Sequence, residues 1–423
     1  MRILPLLPLA LLLPAAAQAQ EKPDPARLKA SVEKLVRFGT RHTLSDPDNP
    51  TRGIGAARRW FAGELAKIGD QCNCIEVANI ARSFTGPRAP NGVQIVDVLG
   101  FQAGTDPKRV VIVMGHIDSR VTDVMNATSD APGANDDGSG TALVLEAARI
   151  LSREKFKATI VYAALSGEEQ GLYGGQLLAE TAKERGWTVT AVLNNDIVGN
   201  TVGTDGRKVA DRVRVFSETW SESDDDRALK GLRNDGAEDD GPSRALAKAI
   251  DQVAGKIPGG LDAFLVRRPD RFGRGGDHSP FLKLGYPAVR FSVGVENYDA
   301  QHQDLVPGKG DTVDKMDFTY LAKVTAINVA TIRRLASAPA APDKVTIGGA
   351  LSADTSVKWA AVPGAVKYRI HWRRADAQDW TDHLDVTGTE ASLKNVVVDD
   401  SFVGVSALGA DGAESLVTFG GRG

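Results

Sequence analysis

"ALSGEEQGLYG", residues 163–173, ends a short apolar run with two adjacent glutamates and a glycine-rich turn. Burying charge is costly, so two carboxylates at the mouth of a buried strand need a partner. Together with the residues before it, "ATIVYAAL" predicts a strand buried on both faces. Five more runs share that character: "QIVDVLGF", "RVVIVMG", "TVTAVLN", "RVRVFSE" and "PAVRFSV". Helical spacing appears between and around them in "PARLKASVEKLVRFG", "RGIGAARRWFAGELAKIG", "SGTALVLEAARILS" and "MDFTYLAKVTAINVATIRRLAS". Near-continuous apolar strands alternating with helices predict an α/β fold, a mostly parallel mixed sheet with helices on both faces.

The polar residues just past each strand are informative. His116 and Asp118 come after the "VVIVMG" run, Glu168 and Glu169 after "YAALSG", and Asp196 after "VTAVLNN". In an open α/β sheet the carboxyl ends of the strands share one crevice, so three strands deliver an imidazole and several carboxylates to one place. Asp136 and Asp137 stand in "APGANDDGSG", just before a helix, where a capping turn is the ordinary reading; beside the strand-end acids, a site is the better one. His302, in the polar loop "NYDAQHQDLVPGKGDT", comes after "PAVRFSV" and reaches the same crevice. Carboxylates gathered at one point repel unless cations neutralise them, and two imidazoles with several carboxylates suit zinc or another first-row divalent ion. Two such ions, three ligand carboxylates and one hydroxide balance to zero, which points to hydrolysis.

Composition narrows the remaining classes. The 423 residues exceed what one core usually absorbs, so two domains are expected. The net charge of −3, with both signs interspersed, lacks the basic footprint of a nucleic-acid binder. Residues 1–19, an arginine, a Pro-broken apolar run and "AAAQA", predict a cleaved signal peptide and an exported, periplasmic or secreted protein with no membrane span. "APAAPD" (338–343) is a linker between a 20–337 domain and a 344–423 segment of short alternating strands, a small all-β sandwich. The spacing of Trp359, Tyr368, Ile370 and Trp372 in that segment resembles a fibronectin type III module, which leaves a surface or another protein as its open partners. Cys72 and Cys74 are expected to be free or structural thiols, since a bridge across one residue is strained, with a strained local disulfide and a metal or redox role as the alternatives. The acidic runs at 221–227 and 237–242 lack the alternation of a calcium loop and are expected to be solvated.

His116-x-Asp118, "GANDDGSG", "SGEEQG", "NNDIVG" and "YDAQHQD" stand in an order that closely resembles the zinc-dependent M28 peptidases, over roughly residues 35–335. The resemblance implies two Zn²⁺, one held by His116 and Asp196, the other by Glu169 and His302, with Asp136 bridging. It also implies that Asp118 orients His116 and that Glu168 is the general base toward a metal-activated water. Asp137 is expected to support the site, and His42 and His278 to stay outside the metal shell. Gln301 occupies a position where several family aminopeptidases carry a tyrosine, so Tyr298 and Gln301 are the candidates for oxyanion or substrate contact. The implied activity is aminopeptidase action on peptides with a free N-terminus. Carboxypeptidase, dipeptidase, glutaminyl cyclase and a non-catalytic binding protein are the alternatives.

Overall fold

The computed structural model describes residues 21–221 and 224–422; the predicted signal peptide and residues 222–223 of the first acidic run lie outside them. In chain order the elements are α1 (Pro25–Val36), α2 (Gly53–Cys72), β1 (Ile75–Gly86), β2 (Ala89–Gln102), β3 (Asp106–His116), α3 (Gly138–Leu151), β4 (Ala158–Leu165), α4 (Glu168–Gly171), α5 (Tyr173–Glu184), β5 (Thr188–Asn195), β6 (Arg212–Phe216), α6 (Asp226–Asp235), α7 (Pro242–Ala254), β7 (Asp262–Val266), α8 (Ser279–Lys283), β8 (Ala288–Val293) and α9 (Phe318–Ser337). Their strands form one eight-stranded mixed sheet, β1-β2-β4-β3-β5-β8-β6-β7. The central neighbours β4, β3, β5 and β8 run parallel, and β1, β2 and β6 enter antiparallel.

The alternating side-chain direction of a strand explains the layers. Val111, Val113, Ile160, Tyr162 and Leu193 pack with α1, α2, α3 and α9 in one core, while Val110, Ile112, Met114, Val161 and Leu165 pack with α5 and α8 in another. Both faces are covered, so every residue of a central strand can be apolar without being exposed, and the strands read as continuous apolar runs. From β3 the chain crosses to β4 on one side, then to β5 on the other. The crevice at the carboxyl end of β3 is therefore the switch point of the sheet.

Downstream, β9 (Val345–Gly348), β10 (Thr355–Trp359), β11 (Lys367–Arg374), β12 (Asp382–Val386), β13 (Glu390–Leu393), β14 (Ser401–Leu408) and β15 (Thr418–Arg422) form a second, all-β sheet of order β12-β11-β14-β15-β9-β10-β13. β15 pairs antiparallel with β14 and parallel with β9, and Val357, Trp359, Tyr368, Ile370, Val403 and Val405 make a shared apolar cluster. Leu416 leaves that segment to join the core of the larger sheet. No described helix is long and apolar enough to cross a membrane.

Two expectations are corrected. Cys72 and Cys74 are bonded to each other. Helix α2 stops at Cys72, Asn73 takes a left-handed conformation (φ 49°), and the reversal leaves the two Cα atoms 5.1 Å apart, a span a disulfide bridges. In the second acidic run Asp240 is buried rather than solvated, because Lys248 Nζ (2.8 Å) and Arg373 Nη2 (2.5 Å, from the all-β sheet) donate to its carboxylate. In the first run Asp225 accepts from the Ala228 N–H and caps α6.

Candidate metal centre

Each strand end places its residue as the sheet topology requires. β3 closes with His116, β5 is followed by Asp196, and after β4 a turn through Gly167 (φ 78°) starts the single helical turn bearing Glu168 and Glu169. Glycine is favoured there by its left-handed conformation, since a Cβ would add strain and push the terminal methyl of Ile95, 2.7 Å away. Asp137 binds these segments together: Oδ2 accepts from the His116 N–H (3.0 Å), and Oδ1 accepts from Gly140 (2.9 Å), at the start of α3, and from Ile197 (3.3 Å), just past β5. Asp311 does the same from below, taking the N–H groups of Asn135 and Asp136 at 2.7–3.0 Å; burial pushes its carboxyl up to about 7. Ile197 (φ 60°) and His302 (φ 55°) lie in the left-handed region, which is unfavourable for a β-branched residue and clusters at functional sites.

The side chains that converge do so in two groups, His116–Asp136–Asp196 and Asp136–Glu169–His302, each with candidate ligand atoms within 4.8 Å of one another. Asp136 belongs to both. Its Oδ1 lies 3.1 Å from His116 Nε2, and its Oδ2 lies 2.9 Å from His302 Nε2. Glu169 Oε1 is 3.0 Å from His302 Nε2, and Asp196 Oδ1 is 3.9 Å from His116 Nε2. Yet His116 Nε2, Asp136 Oδ2 and Glu169 Oε1 are buried without a hydrogen-bond partner, a costly state for polar atoms unless a ligand completes it. The separations near 3 Å approach the edge of a tetrahedron with ~2 Å bonds, roughly 3.3 Å. Electrostatics point the same way. Burial lowers the His302 ring, but Glu169 and Asp136 outweigh it and raise it to about 10; burial raises Asp136, but the two histidines hold it well below the usual carboxylate range. The cluster calls for cations, and its N and O donors fit zinc.

Around it, His116 Nδ1 lies 3.1 Å from the main-chain oxygen of Asp118 and 3.5 Å from its Oδ1. Asp118 Oδ2 accepts from Thr43 Oγ1 (2.7 Å) and the Glu169 N–H (3.2 Å), so one carboxylate steadies both the histidine and the glutamate pair. A cavity of about 370 Å³ opens here, lined by Asp136, Glu168, Glu169, Asp196 and His302. No described residue hydrogen-bonds the Glu168 carboxylate, and burial raises its pKa well above an ordinary glutamate, with Asp196 and Glu169 adding to the rise and His116 opposing it.

A scan of family descriptions matches residues 97–332 to "Peptidase family M28". A probable zinc metalloprotease of Leptosphaeria maculans is 40% identical over 411 residues, covering 94% of this chain and 95% of the relative. The chain belongs to peptidase family M28.

Among solved M28-like folds, the LapA aminopeptidase of Legionella pneumophila superposes with a TM-score of 0.53 at 19% identity, over 74% of this chain and 72% of its own. A glutaminyl cyclase of Porphyromonas gingivalis gives 0.51 at 18%, over 73% and 98%. Both establish the fold, a central mixed sheet flanked by helices. The Leptosphaeria relative is named for zinc.

The remaining predicted residues, Tyr298, Gln301, His42 and His278, are not among those that line the cavity. Tyr298 is 60% exposed and does not line the cavity, while Gln301 is buried with Oε1 accepting from Arg274 Nη1 (3.2 Å). His42 Nε2 meets the Val124 carbonyl (2.9 Å), and His278 Nε2 that of Pro269 (2.7 Å). Three arginines of this M28 site are not evident from the motifs. Fully buried Arg290 pairs with Asp196 Oδ1 (2.6 Å), Arg120 pairs with Glu169 Oε2 (2.7 Å) and reaches His302 Nδ1 (2.5 Å), and buried Arg41 donates to the carbonyls of Ile117, Pro132 and Gly133. Arg290 was detectable as a lone charge inside the apolar run "PAVRFSV"; the other two have no local signal.

Proposed function

We propose that the protein is an exported zinc aminopeptidase, hydrolysing the first peptide bond of peptides with a free N-terminus. The observation that carries this is Asp136, whose two oxygens face two different histidines, each with a further carboxylate beside it. In this reading His116, Asp136 and Asp196 hold one ion, and Asp136, Glu169 and His302 hold the other. Zinc held there supplies a Lewis acid for the scissile carbonyl and acidifies water to near neutrality. Glu168, whose carboxylate no described residue hydrogen-bonds and whose pKa burial raises, takes the proton of the attacking water and hands it to the leaving amine. Asp118 keeps His116 in register and Glu169 in place.

Two companion readings come with it. Residues 1–19 have the composition of an export signal, and segment 344–423, with seven strands and the edge-to-face pair Trp359–Tyr368 (5.3 Å), fits a fibronectin type III-like module. The test of the activity is hydrolysis of a leucine-first peptide by zinc-loaded protein, beside the same peptide with its amino group acetylated. Cleavage of the free peptide alone is expected. Equal cleavage of both rejects the aminopeptidase reading in favour of an endo- or carboxypeptidase.

A further inference from the structure

The cleft sets four arginines against four carboxylates, yet two of its guanidinium groups are incompletely paired. Arg88, Arg120, Arg271 and Arg274, from three separate segments, line the same cavity as the acidic cluster. Arg88, in the turn between β1 and β2, has no carboxylate partner among the described residues and donates only to the main-chain oxygen of Glu169 (2.8 Å). Arg271 and Arg274 share Glu296 with Arg214, three guanidinium groups against one carboxylate. Arg271 is also paired with Asp270 (2.9 Å), itself shared with Arg290 (3.3 Å).

Two details show unused capacity. Arg271 is only 9% exposed, yet its buried Nη1 has no hydrogen-bond partner and stays 3.6 Å from Glu296. An unmet donor of this kind costs stability unless something fills its place. Arg120 meanwhile leans on His302 Nδ1. A neutral imidazole that offered Nε2 to a metal would carry its hydrogen on Nδ1 and could not accept there, which would leave that Arg120 donor without this partner. Among the described residues of the lining, Leu172 is the one apolar side chain larger than glycine. An apolar substrate side chain meets only Leu172 within the cleft itself, although a mostly apolar hollow lined by Leu172, Ala179, Pro280 and Leu284 adjoins it.

We propose that the cleft selects peptides carrying a carboxylate within one residue of the cleaved bond, bound by Arg88, Arg271 and Arg274. The inference rests on the proposed hydrolysis for its reaction, though not for the binding itself. The carboxylate can be an acidic side chain or the free end of a short peptide, chemically equivalent for a guanidinium fork.

The test compares four dipeptides on the zinc-loaded chain: Leu-Leu amide, Leu-Glu amide, Glu-Leu amide, and Leu-Leu with a free carboxyl group. Both kcat/KM and, in the Glu168→Gln protein, calorimetric Kd are measured. At least one of the three carboxylated peptides should exceed the neutral amide by about tenfold or more, as charge-assisted hydrogen bonds allow, and the arm that wins identifies the source. Arg271→Gln and Arg88→Gln should each cut that ratio several-fold. Arg88 is exposed, so its variant decides the matter if the Arg271 variant fails to fold. Equal Kd for all four peptides overturns the proposal. So does a preference that survives both substitutions, which would trace it to the metal instead. Cleavage of Leu-Leu amide without preference leaves the hydrolase reading intact and removes this one; arginine-dependent binding with no cleavage does the reverse.

Discussion

Two buried polar clusters in this molecule are built from similar residues and behave differently. At the carboxyl end of β3, His116 Nε2, Asp136 Oδ2 and Glu169 Oε1 are buried with no hydrogen-bond partner. Where the all-β sheet meets α7 and α9, the carboxylates are filled. Asp240 takes Lys248 and Arg373, and Glu414 takes Ser406 Oγ (2.7 Å) and His371 (3.0 Å), with Arg369 and Arg334 nearby. Polar atoms that complete one another hold a structure together. Polar atoms left incomplete at a crevice are waiting for a ligand.

Substitutions sharpen that contrast. The largest effect is expected from Asp136→Ala, which removes the carboxylate common to both groups. Bound zinc and hydrolysis should fall to background while the far-ultraviolet circular dichroism spectrum is kept; zinc retained at the wild-type stoichiometry would break the comparison. Glu168→Gln should leave zinc content and fold intact and slow turnover by about 10²–10⁴. Normal turnover in a metal-loaded Glu168→Gln protein removes its role as base.

At the other cluster the consequences are for stability alone. Asp240→Ala leaves buried Arg373 without its carboxylate and Lys248 with only Asp239 at 3.4 Å, and about 3–5 kcal/mol should be lost in urea unfolding. Zinc content and turnover measured well below the transition should not change. Glu414 gives the smallest effect, and it depends on pH. Burial pushes this carboxyl up, but hydrogen bonds from His371 and Ser406, with Arg334, outweigh burial and pull it down to about 2. A depressed acid stabilises the fold above its unfolded value, near 4.3, and that stabilisation drains away as pH falls through its folded value. Glu414→Gln should therefore flatten the stability curve between about pH 4.5 and 2, by up to roughly 3 kcal/mol. An unaltered acid limb would show that Glu414 is not coupled to folding.

Much of the molecule was legible because its signals are local. All six apolar runs became strands, since a sheet covered on both faces demands unbroken apolar sequence, and the acids and histidines just past them converge because parallel strands point their ends the same way. β1 was not legible: it is an edge strand with much of its length exposed, so its pattern is diluted. β7 was missed too, a five-residue strand with only one buried position. The disulfide also escaped, because it depends on a left-handed Asn73 rather than on the spacing of its cysteines.

By itself, then, the sequence determined the α/β class, the strand ends needed for a crevice, the all-β tail and the residues brought to the metal centre, because each rests on periodicity or on neighbours along the chain. Only the tertiary structure decided that Asp136 faces two histidines, that Asp240 is a buried joint to the second sheet, and that arginines 32 to 186 residues apart in the chain (Arg88, Arg120, Arg274) rim one cleft. Those facts are separations between residues distant in sequence, and a separation of that kind exists only once the chain has packed.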